Sequence, residues 1–140
     1  MAPAAAELFP WSEKYQVGIG FVDSQHKHLV DIINRLHHAM ASGKARDVLQ
    51  KTLEELIRYT KAHFAAEERV LQSHAYPEFP VHQHEHEHLT SVVVDFQRRL
   101  VGGELALSVG LMDFLKDWLG NHILSVDKKY APFLKGQGVV

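Results

Sequence analysis

The sequence predicts an all-α protein, an up-down-up-down antiparallel four-helix bundle preceded by an irregular arm. Three observations carry that prediction. Apolar residues recur at helical spacing in four separate stretches, Pro and Gly clusters punctuate the gaps, and strand signals are weak. Val92–Val94 is too short a β-branched run, and it sits inside a helical pattern. Amphipathic helices joined by short links favour antiparallel neighbours.

Residues 1–22 contain Pro3, Pro10, Gly18 and Gly20 and read as the arm, with Trp11 and Tyr15 available to pack on a core. Asp23 is a good N-cap for a first helix running to about Ser42-Gly43, with Leu29, Val30, Ile33, Leu36 and Met40 along one face. A second helix runs from about Arg46 through Leu49, Leu53, Leu56, His63 and Val70 to His74. Tyr76-Pro77 and Pro80 break it there. The third starts near Pro80 or Val81 and continues through Leu89, Val93, Phe96 and Leu100 to Gly102-Gly103. The fourth is expected to start with Ser108 as N-cap, with Glu104–Leu107 available as an extra turn, and to end before Pro132. The expected organisation is thus an arm (1–22), a bundle (23–131) and a tail (132–140), one domain overall.

Composition narrows the function. The chain has 140 residues, 46% hydrophobic and 23% charged, enough for a real core. Net charge is −2 and no basic run recommends a nucleic-acid partner. No stretch approaches the ~18 apolar residues of a membrane helix, so no membrane insertion is expected. The start, MAPAAAELFPW, lacks the features of a secretory signal, and a cytoplasmic location is expected. There are no cysteines, which removes disulfides, thiolate metal sites, Fe–S clusters and cysteine nucleophiles together. The anomaly is eleven histidines.

Four of them crowd the stretch VHQHEHEHL, residues 81–89. His84-Glu85-x-x-His88 has zinc-protease spacing, and His82-x-x-x-His86 is a rival pair one face away. A helix turns about 100° per residue, so with His82 at zero His86 lies at roughly 40°, and Leu89, Val93 and Leu100 share that side. His84 and His88 fall at roughly 200° and 240°, beside Ser91, Asp95 and Arg98. The inward pair is therefore His82/His86, and the zinc-protease match falls on the wet face. The same test turns His26 inward with Leu29 and Ile33, His63 and Glu67 inward with Leu56, and His122 inward with Leu115 and Trp118. Glu68 is turned well away.

A lone histidine on an apolar face is usually a satisfied core residue. Five inward histidines and an inward glutamate are different, because burying each without a partner costs several kcal/mol. Antiparallel topology also brings them to one level. His26 opens helix one, His63 and Glu67 lie late in helix two, His82 and His86 open helix three, and His122 is late in helix four. A shared metal site explains the convergence better than chance.

Asp127 follows His122 by five residues, about 140° on an ideal helix, which does not place both on one face. Two readings stand: a π-bulge turns Asp127 inward, or Asp127 is a solvated carboxylate ahead of Lys128-Lys129. If it is inward, five His and two carboxylates exceed one ion and suit two, with the carboxylates as bridges. One ion with three histidines, two carboxylate oxygens and a bridging oxygen is six-coordinate. One with two histidines keeps a vacancy. His82, His86 and His122 could supply the first, His26 and His63 the second. Imidazole and carboxylate suit iron, though zinc and copper also accept imidazole. Ferritin-like centres instead use four Glu and two His with Glu-x-x-His motifs, and the one such motif here, Glu85–His88, is on the exposed face. A histidine-rich pair favours mild, reversible O₂ chemistry over iron storage or C–H oxidation.

At this point the chain resembles the single-domain bacterial hemerythrins (bacteriohemerythrin). The likeness runs through VDSQHKHLVDIIN, YTKAHFAAEE, YPEFPVHQHEH and WLGNHILSVDKKY and covers essentially the whole chain. Myohemerythrin is a standard example of the up-down bundle, so fold and family agree. The resemblance implies two non-haem Fe ions held by His26, His63, Glu67, His82, His86, His122 and Asp127, with Glu67, Asp127 and an oxo or hydroxo group as bridges. It implies O₂ as ligand, bound reversibly at the five-coordinate iron, for carriage, storage or delivery to an oxygen-consuming enzyme, and no enzymatic turnover. Trp118 and Leu119 match apolar positions near the family's O₂ pocket; plain core is their other role. A dry pocket matters because water would promote oxidation to an inactive diferric state.

Competing classes are an O₂ or redox sensor, a di-iron enzyme acting on peroxide, NO or ferrous iron, and a zinc hydrolase built on His84-Glu85-His88. Sensors of this type are commonly fused to signalling domains, and 140 residues leave no room for one, which favours the carrier. His28, His38, His84 and His88 are expected at the surface, and His74 at a helix end. His37 lies about 16 Å along the axis from His26, too far to share its ions. Tyr59, one turn before His63, is a candidate to hold a ligand's free ring N–H.

Overall fold

The structure, a computed structural model, describes residues 8–43, 46–103 and 109–140. The expected N-cap Ser108 and the extra turn at Glu104–Leu107 lie outside these. Helix α1 spans Gly20–Ala41, α2 Arg46–Ser73, α3 Phe79–Val101 and α4 Val109–His122. A π-helical turn, Ile123–Asp127, joins α4 to α5, Lys128–Gly136. There is no strand among the described residues. Both joints keep right-handed helical backbone, so α4, the π turn and α5 form one continuous rod. Helix α1 packs on α2 and on α4, and α2 packs on α3. Phe96 meets Phe114 edge-on at 5.1 Å, which joins α3 to α4. The architecture is a four-helix bundle.

The core is apolar in the pattern the periodicity predicts. Leu29, Ile33 and Leu36 of α1, Leu53 and Leu56 of α2, and Val93 and Leu100 of α3 are buried against Met112 and Leu115 of α4. The arm joins that core. Phe9 is fully buried, and its backbone exchanges two hydrogen bonds with the Asn34 side chain, donating at 2.8 Å and accepting at 2.9 Å. Its ring packs on Tyr15 at 5.0 Å and against Gly120 of α4.

Two boundaries differ from expectation. Asp23 is not the N-cap: α1 begins at Gly20, after Ile19. The Asp23 carboxylate instead reaches back to accept from the Val17 and Gly18 amides at 2.7 and 3.0 Å, tying the arm to the first turn. At the other end, Pro132 does not stop the fourth helix, which runs on to Gly136. Proline forfeits one backbone hydrogen bond. The burial of Tyr130, Ala131 and Leu134 around it offsets that loss.

Candidate metal centre

Four helices and the π turn after α4 deliver seven polar side chains to one buried layer. His26 comes from the second turn of α1, His63 and Glu67 from α2, His82 and His86 from the start of α3, and His122 from the end of α4. All seven, with Asp127, are between 0 and 4% exposed in a region otherwise filled by apolar side chains. Asp127 reaches the layer because of the π turn. There the Lys128 amide donates to the Ile123 carbonyl, five residues back, so five residues make about one full turn. Asp127 therefore falls under His122 and is fully buried. Of the two readings left open for it, the solvated one is corrected.

The seven sort into two overlapping groups. Glu67, His82, His86, His122 and Asp127 bring one ligand atom each within 4.8 Å of the others, and so do His26, His63, Glu67 and Asp127. The carboxylates belong to both, and they divide their oxygens between them. Glu67 turns Oε1 to His63 Nε2, and to His26 Nε2 at 3.6 Å, while Oε2 lies 3.2 Å from His82 Nε2 and 3.7 Å from His86 Nε2. Asp127 turns Oδ2 to His26 Nε2 at 2.9 Å, and Oδ1 to His122 Nε2 at 3.1 Å and His82 Nε2 at 3.4 Å. Three imidazoles face one pair of oxygens and two face the other.

The layer is short of hydrogen bonds and rich in negative charge. The Nε2 atoms of His26, His63, His86 and His122, and both Asp127 oxygens, make no hydrogen bond although they are buried. Donor atoms that converge without bonding one another fit a cation between them. Burial drags on the His26 imidazole, yet Asp127 and Glu67 outweigh it and hold its pKa up at about 9. Burial wins at His86 and pushes it down to about 3. Burial also opposes ionisation of Glu67, but His63, His26 and His82 keep it well below the usual carboxylate range. Asp127 is pushed up by burial and by Glu67, then pulled lower still by His122 and His26. Two carboxylates side by side in a dry core need positive charge opposite them, which bound dications supply. Five imidazoles and two carboxylates suit iron in number and kind.

Behind the ligand atoms stand residues that the sequence reading missed. His63 Nδ1 donates to Gln25 Oε1 at 2.6 Å, and His86 Nδ1 lies 3.2 Å from Glu68 Oε2. Phe64 stacks on His86 with centroids 3.8 Å apart and planes 5° from parallel. Tyr130, 1% exposed, packs its ring 5.4 Å from that of His82. The available signal was adjacency: Gln25 precedes His26, and Glu68 follows Glu67. Glu68, set aside as facing away, crosses to the neighbouring helix instead. Tyr59 does not hold a ligand; its ring lies 4.2 Å from that of exposed His28.

The remaining histidines fall outside the layer. His84 and His88 are exposed, and neither joins a metal-competent group among the described residues. His74 is at the end of α2, where Nδ1 donates to the Val70 carbonyl at 2.9 Å. Trp118 and Leu119 are 6 and 2% exposed, about one turn ahead of His122. No helix among the described residues is long and apolar enough to cross a membrane.

Comparison with known proteins gives one consistent answer. The family model for the Hemerythrin HHE cation binding domain matches residues 17–134. Bacteriohemerythrin of Methylococcus capsulatus is 38% identical over 128 residues, spanning 91% of this chain and 97% of that one. Bacteriohemerythrin of Stenotrophomonas maltophilia is 33% identical over 128 residues, spanning 91% and 82%. A crystal structure of wild-type hemerythrin superposes with a TM-score of 0.84 at 38% identity, covering 89% of this chain and 96% of that one.

Proposed function

The chain belongs to the hemerythrin family, and from that premise we propose that it binds O₂ reversibly, as a carrier, a store or a donor to an oxygen-consuming enzyme. The family holds a non-haem di-iron centre, and this chain's His/Glu/Asp cluster is suited to it. In this reading His82, His86 and His122 would hold one iron, His26 and His63 the other, and Glu67 and Asp127 would be shared between them. The observation that carries it is the division of the two carboxylates, each giving one oxygen to the three-histidine group and one to the two-histidine group. A single-ion site has no use for that arrangement.

When bound, the iron pair supplies the electrons that reversible O₂ binding draws on. The protein's part is to hold, to leave room and to keep dry. With iron bound, the three-imidazole group would fill its share of the coordination, and the two-imidazole group would leave a position where O₂ could bind. Trp118 and Leu119 serve as part of the apolar wall that excludes water from that position. Neutral imidazoles in place of carboxylates favour mild chemistry over turnover, in keeping with a protein that is not an enzyme.

The test is an optical spectrum of iron-loaded, reduced protein before O₂, after O₂ and after argon purging. Visible charge-transfer bands that rise with O₂ and vanish on purging are expected. Bands that persist after purging would shift the weight to peroxide or NO chemistry. Zinc bound in place of iron would sink the proposal.

A further inference from the structure

Surface grooves reach three of the buried imidazoles. One, between α2 and α3, ends on His86 and carries Lys61 on its wall. Another ends on His82 and carries Lys129. The third, a groove of about 410 Å³ between α3 and α4, ends on His122. Its walls bear Glu85, His88 and Asp117, and none of the described residues lining it is Lys or Arg.

The floor of that third groove is unusual. His122 is 4% exposed, and neither of its ring nitrogens makes a hydrogen bond. Its Nε2 faces Asp127 Oδ1 at 3.1 Å, so the same ring touches the groove and the ligand layer. Trp118 Nε1, also buried and unpaired, lines the groove beside it.

A dication cannot enter a layer of buried ligands with its hydration shell intact, and shedding the whole shell at once is prohibitive. Side chains that replace water stepwise lower that barrier, and carboxylate and imidazole can both do so for iron. Negative walls raise the local concentration of cations, whereas a lysine on the wall opposes them. All three grooves carry two carboxylates, but only the α3–α4 groove among them has no lysine to oppose those charges, and only it adds a histidine, His88, outside the ligand layer.

We propose that this groove is the passage by which ferrous ion reaches and leaves the buried layer, with Asp117, Glu85 and His88 as transient ligands that hand it to His122. The proposal rests on the di-iron reading given above. It also gives Glu85 and His88 a role other than the zinc-protease motif they spell.

The test is isotope exchange in the diferrous holoprotein under anaerobic conditions. Excess enriched ferrous ion is added, and the isotopic composition of protein-bound iron is followed by mass spectrometry. The E85Q/D117N double variant is expected to exchange about tenfold more slowly than the parent at low salt, and D117K more slowly again. K61Q and K129Q are expected to stay within about twofold, and added salt to narrow the gap between parent and double variant. An unaltered rate in E85Q/D117N, or a several-fold acceleration in K61Q or K129Q, would overturn the passage while two bound irons per chain left the di-iron reading standing. A parent protein that holds no iron pair would overturn both.

Discussion

Gln25 and Glu68 stand behind imidazoles from different groups of the layer, one with a neutral acceptor and one with a carboxylate. A carboxylate behind an imidazole raises its basicity and its electron donation to a bound metal. Glu68→Gln keeps an acceptor at His86 and removes the charge. We expect it to weaken binding of one iron about tenfold, read by chelator competition, and to raise the reduction potential of the pair. Gln25→Glu should move the potential the other way through His63. The inward histidines offer a plainer check. His82→Ala should lose bound iron, whereas His84→Ala, exposed on the opposite face, should keep two irons per chain by elemental analysis. Five imidazoles and Glu67 were legible from helical angle alone, because period and burial fix which face a residue takes. Glu68 was not. It lies about 100° from Glu67, at the margin of the stripe, where the contact depends on the rotamer and on how near the next helix comes.

At the scale of elements, the end of α2 shows a local cost. The Tyr76 amide bonds to the Leu71 carbonyl and the Ala75 amide to Gln72, a Schellman closure that puts Ala75 at φ 54°. Glycine is the usual residue there, since a Cβ is strained at positive φ. Ala75 is exposed, so no packing is lost on replacing it. Ala75→Gly should therefore stabilise the protein by about 0.5–1 kcal/mol in chemical denaturation. A lower denaturation midpoint would show that closure does not govern this end. The helix interiors were readable from apolar period and from Pro and Gly. The ends were less so, since Asp23 and Pro132 each carry a general preference that the arm and the buried Tyr130 and Leu134 override. The π turn illustrates the reverse case. Nothing in ILSVD demands it; the need for Asp127 in the layer was the signal, and the backbone supplies the extra residue per turn.

For the whole molecule, antiparallel topology gathers every candidate ligand at one end of the bundle, which is why the layer is legible in the order of the helices alone. Ligand chemistry narrows the metal without choosing it; imidazole and carboxylate serve zinc and copper as well as iron. Removing the ions should be felt throughout. Two buried carboxylates and several unpaired imidazole nitrogens would lose their compensation. With iron held at about a thousand times its dissociation constant, binding contributes about 4 kcal/mol. Chelation should thus lower the melting temperature by about 10 °C, and returning ferrous ion should restore it. An unchanged melting curve after full iron removal would mean that the layer is satisfied without metal.

His26 and Asp127 lie about a hundred positions apart in the sequence, yet their side chains meet at 2.9 Å. An ion held by both would close a loop of about a hundred of the 140 residues. In a covalently cross-linked polymer, closing a loop that long removes unfolded-state freedom worth about 4–5 kcal/mol. With that ion bound, a protein without a single cysteine would have the counterpart of one long disulfide, a staple opened by chelators and acid rather than by thiols.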